Sequence, residues 1–166
     1  MRINKYRPHI FVLPEDDANR QIAVGFCLNL NLNDRVIRIL PPAGGWEYVV
    51  DKFMQDYASE MQNLRERRMV LLIDFDRQSE RRLSYVQEQI PPDLIERVFV
   101  LGVLSEPEDL KRNIKSKISL EKIGENLAQG CPENTNELWN HDLLIHNRNE
   151  LERMSISVRS FLFPSN

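Results

Sequence analysis

No apolar run in this sequence approaches the ~20 residues that a helix needs to span a bilayer. Nor does the amino terminus carry the apolar core of an export signal: Met1 to Pro8 holds Arg2, Lys5 and Arg7 and leads straight into a strand-like run. The expectation is a soluble cytoplasmic protein. Cysteine is scarce, and the two present have no metal-ligand spacing and need no disulfide, Cys27 lying in a helical pattern and Cys131 in a loop-like Gly-Cys-Pro. Positive charge is not in excess either: the formal net charge of -3 argues against a broad electrostatic grip on nucleic acid, leaving room only for a local basic patch. Histidine is rare. His9 opens a strand, and His141 and His146 are five apart, which does not place them on one helical face, so a histidine metal pair is not expected and a proton carrier over the acidic edge is the most either offers. Repeats and low-complexity tracts are missing too.

What is present is a layered pattern. With 166 residues, 28% charged and 42% hydrophobic, the chain has the composition of one globular domain with a sizeable core. His9 to Leu13 reads as a first strand closed by Pro14, and acids and a capping residue then precede Ile22, Phe26 and Leu30, which predicts a helix to about Asn29. Arg35 to Leu40 reads as a second strand. From Trp46, the spacing of Val50, Phe53, Tyr57, Met61 and Leu64 predicts the longest helix of the chain, and Trp46 itself, just past the second strand's loop, is placed to flank a site. Val70 to Ile73 is the core of a central strand, Ser79 to Gln89 a helix ended by Pro91-Pro92, and Arg97 to Leu104 a fourth strand. Asn149 to Phe163 has one apolar face and predicts a terminal helix. Strands alternating with helices give a three-layer α/β fold, with a mainly parallel four-stranded sheet, helices on both faces and a carboxyl-terminal helical appendage. Residues 1–115 are expected to form the α/β domain and residues 116–166 an extension packed on it.

Acids gather where the strands stop. Glu15 follows the first strand, with Asp16 and Asp17 next to it, Asp74 and Asp76 follow the third, and Glu106 and Glu108 follow the fourth. In a parallel sheet these ends share one edge, the edge where open α/β sheets keep their ligands. Alternation along an extended chain would point Asp74 and Asp76 to the same side, and carboxylates so crowded are relieved by a hard divalent cation, Mg²⁺ or Mn²⁺. Individually each acid has a plainer use: Asp74 and Asp76 as helix caps, and Ser105, Pro107 and Glu108 as a capping box. Basic residues just past the acidic strand ends, Arg77, Arg81, Arg82, Lys111, Arg112 and Lys115, lie where a phosphate backbone would pass, although such charges are usually solvated helix faces.

A glutamate just after the first strand (Val12-Leu13-Pro14-Glu15-Asp16-Asp17) and an Asp-x-Asp just after the third (Leu72-Ile73-Asp74-Phe75-Asp76) resemble the Toprim domain of topoisomerases, primases and related nucleases, over roughly residues 8 to 112. Glu106-Pro107-Glu108 is similar to the further acidic motif of stand-alone and overcoming-lysogenization-defect nuclease-like members. Asp16 stands where the family often has a Gly after its glutamate, and nothing matches a topoisomerase tyrosine domain or a primase zinc module. The resemblance implies a metal-dependent phosphodiester hydrolase in which Glu15 is general base or metal ligand and Asp74 and Asp76 are ligands, with Asp16, Asp17, Glu106 and Glu108 as further acids and Arg77 and Lys111 as phosphate contacts. Its partners would be DNA or RNA, an ATPase subunit or a second copy of the chain, and no membrane.

Three other readings stand beside it. One is a catalytically silent module of the same fold that docks through its terminal helix on an ATPase or on itself. Another is a response-regulator receiver with Asp74 as phosphoacceptor. Against that stand Gly102-Val103-Leu104 where a receiver has a hydroxyl residue, the missing Lys-Pro and the long interval from Asp17 to Asp74. A haloacid-dehalogenase phosphatase ranks last, because its Asp-x-Asp sits on the first strand with a Thr two places on, where this chain has Gln78.

Overall fold

The chain is described by a computed structural model covering residues 2–131 and 137–165. Apolar alternation builds four strands, β1 (His9–Pro14), β2 (Ile37–Ile39), β3 (Arg67–Leu72) and β4 (Val98–Leu101), paired in parallel in the order β2-β1-β3-β4. Between and after them run α1 (Asp17–Phe26), α2 (Trp46–Lys52), a π-helical turn (Phe53–Tyr57), α3 (Ala58–Asn63), α4 (Ser79–Gln89), α5 (Pro107–Asn113), α6 (Leu120–Gly130) and α7 (Arg148–Leu162). The fold is α/β and three-layered. Among the described residues no helix is long and apolar enough to cross a membrane.

The period of two along each strand sorts the core into two halves. Phe11 and Leu13, Met69 and Leu71, and Val98 and Val100 turn to one face, where they meet Val49, Val50, Phe53, Met61 and Val86 from the helices between Trp46 and Gln89. Ile10 and Val12, Val70, and Phe99 and Leu101 turn to the other, against Ala23 of α1 and Leu151, Met154, Val158 and Leu162 of α7. A third cluster joins α1 to α5 and α6 through Ile22, Leu110, Ile123 and Leu127. There α1 and α6 touch backbone to backbone at glycines: a Cβ on Gly25 would lie 1.8 Å from the Glu121 carbonyl oxygen, and one on Gly124 1.9 Å from that of Ile22.

The segment after residue 116 is built into this core. α7 covers the sheet face and also the open edge of β4: Glu150 Oε2 accepts from the Val100 N–H (2.9 Å), Asn147 Oδ1 accepts from the Gly102 N–H (3.1 Å), Asn147 Nδ2 donates to the Gly102 carbonyl (2.8 Å), and Arg153 Nη2 donates to the Val98 carbonyl (3.0 Å). An unpaired strand edge would otherwise invite another chain. The apolar face of α7, expected as a docking surface in the silent-module reading, is therefore spent inside this domain.

Other expectations are corrected at their boundaries. The long helix from Trp46 is interrupted by its π-helical turn, and α1 stops at Phe26 rather than near Asn29. Arg35 and Val36, expected in β2, belong instead to a 3-10 turn (Asp34–Val36) capped by the Asn33 side chain. The capping box after β4 does not form: Glu106, not Ser105, is the N-cap of α5, with Pro107 behind it, and the Ser105 hydroxyl is buried without a hydrogen-bond partner.

Candidate functional site

With β1 central and the chain turning one way to β2 and the other way to β3, the sheet has a switch point between the carboxyl ends of β1 and β3, the place where doubly wound sheets leave a crevice. Glu15, Asp16 and Asp74 sit there. The Glu15 N–H continues the ladder to the Leu72 carbonyl (2.8 Å), and its carboxylate, half-buried, accepts the backbone N–H of Asp74 (2.6 Å). Burial raises the Glu15 pKa and the neighbouring Asp16 charge adds to that, while hydrogen bonds from the Asp74 and Trp46 backbones and the Arg82 charge pull the other way.

Asp16 is the N-cap of α1, accepting the Asn19 N–H at 2.9 Å. Asn19, one turn in and fully buried, then uses its side-chain amide to tie two strand ends together: Nδ2 donates to Asp16 Oδ1 (2.9 Å) and to Asp74 Oδ1 (2.9 Å). Two carboxylates thus lean on a single nitrogen. Burial, followed by the charges of Glu15, Asp16 and Glu108, pushes the Asp74 carboxyl up to about 7, against the opposing hydrogen bond from Asn19. Acids from two other strand ends, those of β1 and β4, therefore act on this one side chain.

Asp76 departs from the expected pairing. The chain stays extended only as far as Phe75, whose N–H bonds to the Val103 carbonyl (3.1 Å); Asp76 and Arg77 then take φ of +47° and +58°, in the left-handed region that non-glycine residues seldom adopt. Instead of sharing a face with Asp74, the Asp76 side chain is 74% exposed and stands 3.5 Å from Arg82 Nη2. Arg82 is the clamp of this loop, donating through Nη1 to the Asp74 carbonyl (2.6 Å) while its guanidinium lies 4.6 Å from the centre of the Trp46 ring.

The remaining predicted residues are spread outward. Asp17 is engaged by its own helix, accepting from Arg20 Nε and Gln21 Nε2 at 2.7 Å each, and those bonds lower its pKa. Glu106 lies 4.0 Å from Arg112, Glu108 is felt only through its field on Asp74, and Arg77 and Lys111 are exposed. His141 Nδ1 accepts the Leu143 N–H (3.0 Å) and so holds a turn, and the His146 ring packs edge-on to Phe75 at 5.0 Å, its pKa lowered by burial. Asn19 is the residue that sequence reasoning missed. Its signal was a polar residue three places before Ile22, on the stripe that α1 buries.

The donor set at the switch point is all oxygen, which suits a hard cation. Among the described residues no three of His, Cys, Asp and Glu are placed to hold a metal ion together, so Glu15, Asp16 and Asp74 form no ready-made cage, and an ion there would draw most of its shell from water and substrate oxygens, as Mg²⁺ commonly does. Comparison with family models, with curated proteins and with solved structures found no match for this chain.

Proposed function

We propose that the switch-point acids form a Toprim-like site that binds Mg²⁺ or Mn²⁺ and hydrolyses phosphodiesters of nucleic acid. The observation that carries this reading is the convergence of Glu15 and Asp16 from β1 with Asp74 from β3, where burial first and the neighbouring charges after it push the Asp74 carboxyl up to about 7. Such crowding is a cost to the fold unless charge of the opposite sign arrives. When bound, the ion supplies Lewis acidity at the phosphate. Asp74 and Asp16 would hold it, and Glu15, whose pKa burial raises, would take the proton of the attacking water. Arg82 keeps the Asp74 loop in place, and exposed Arg77 and Lys111 meet the flanking phosphates.

The test is cleavage of supercoiled plasmid and of a single-stranded oligonucleotide in Mg²⁺ or Mn²⁺ by the wild type and by Asp74→Ala. Metal-dependent nicking that disappears in the variant is the expected result. Nicking that survives the substitution rejects the site, and none in any condition leaves a silent fold. The strand order β2-β1-β3-β4 favours one second reading, since receivers share it over their first four strands. In that case a small phosphodonor labels Asp74 without nucleic acid.

A further inference from the structure

Beside the acidic rim, on the side of α2 and α4, lies a cleft of about 300 Å³ lined by Trp46, Gln78, Arg81, Arg82 and Tyr85. Every one of these side chains ends in a flat group: indole, amide, two guanidinium ions and phenol. Trp46 and Tyr85 meet edge to face with ring centres 5.5 Å apart, Tyr85 is 45% exposed, and Gln78 and Arg81 are exposed beside them. The floor of the cleft connects to the rim through Arg82, which lies against Trp46 on one side and holds the Asp74 carbonyl on the other. A group seated in the cleft is thus next to the carboxylates.

We propose that this cleft is a stacking platform for a nucleobase of a single-stranded nucleic acid, which specifies the substrate of the phosphodiester site proposed above and rests on that reading. A base has two flat faces and a polar edge, and the cleft offers matching chemistry: the 45%-exposed ring of Tyr85 set edge to face against Trp46, an amide with donor and acceptor in Gln78, and a cation for the adjoining phosphate in Arg81. A base inside a duplex is stacked and cannot enter, so the platform selects an unpaired strand. Binding through a few planar contacts also fits a chain whose net charge of -3 gives no broad electrostatic attraction. Trp, Tyr and Arg also anchor protein interfaces, so a protein occupant is the outcome that the test has to separate from a nucleobase.

The experiment uses the full chain carrying Trp139→Phe, so that Trp46 is the only indole, titrated in EDTA with a ten-nucleotide oligothymidylate and with a duplex of the same length. The single strand quenches Trp46 emission, Tyr85→Ala weakens its binding about tenfold, Tyr85→Phe restores it, and the duplex binds more weakly. Unchanged emission, or affinity indifferent to Tyr85→Ala, overturns the platform and leaves the cleft to a protein. Cleavage measured in parallel separates the two proposals. Asp74-dependent cleavage with no effect of Tyr85→Ala on binding or rate sinks the platform alone. Tyr85-dependent binding with no cleavage in Mg²⁺ or Mn²⁺ sinks the phosphodiesterase reading alone.

Discussion

At the scale of single residues, buried charge decides what this molecule tolerates. Asp74 is held where its carboxylate is desolvated and surrounded by like charge, so in metal-free buffer at pH 8 Asp74→Asn should raise the melting temperature, which thermal unfolding in EDTA checks; a lower melting temperature would mean that the rim is not crowded. His9 shows the same logic with opposite sign. Fully buried, it faces the Arg7 carbonyl through Nδ1 (2.8 Å) and accepts Arg67 Nε through Nε2 (3.0 Å), and burial, with Arg67 and Arg68 adding to it, lowers its pKa. The unfolded chain takes up the proton near pH 6.5 while the folded chain resists it, so the His9 contribution to stability is flat above that pH and falls below it, opposite in sign to that of Asp74. In urea unfolding between pH 5 and 8, the stability of His9→Gln relative to the wild type should rise as the pH falls below 6.5, and a difference that does not vary with pH would contradict this. The thiols of Cys27 and Cys131 are pushed up to about 12 by burial, so a disulfide reagent at pH 8 should leave the native chain unlabelled and react only after denaturation. None of this shows in the sequence, because a lone His, Asp or Cys carries no sign of its burial. The amide of Asn19 is the sharpest example: at residue level it reads as a helix-start polar residue, and only the fold reveals that it bridges Asp16 to Asp74.

At the scale of elements, periodicity was a sound guide and geometry at the joints was not. The apolar run after Arg68 forecast a central strand buried on both faces, and the sheet turns Met69 and Leu71 to one face and Val70 to the other. The turn after β3 went unforeseen, since Asp76 and Arg77 leave the extended chain in left-handed conformations that neither residue type announces. Asp76 accordingly faces Arg82 rather than the rim. The π-helical turn at Phe53–Tyr57 escaped for a similar reason, because one extra residue in a helix shifts the stripe without erasing it. Two substitutions probe the joints. Gly124→Ala puts a methyl group into the Ile22 carbonyl and should cost about 2 kcal/mol of stability, more if α6 cannot shift, as chemical denaturation would measure. Glu150→Ala removes the acceptor of the Val100 N–H and the partner of Arg153, and a loss of about 2 kcal/mol is expected, with self-association as the strand edge opens. A fully stable, monomeric variant would show that α7 does not guard β4.

At the scale of the whole molecule, the strand order explains why the site stands where it does. β1 and β3 are adjacent in the sheet although about sixty residues apart in sequence, so Glu15 and Asp74 are joined by topology rather than by any local motif. The acids at strand ends were visible beforehand; which of them meet was not, since Asp17, Asp76 and Glu106 find partners on Arg20, Arg82 and Arg112 instead. The central claim is that the remaining acids hold a divalent cation between them. Electron paramagnetic resonance of Mn²⁺ titrated into the wild-type chain and into Asp74→Ala measures this without any assumption about substrate. The account predicts a bound-ion signal, displaced by Mg²⁺ and lost in the variant; Mn²⁺ that stays free in the wild type, or binds equally well without Asp74, would contradict it.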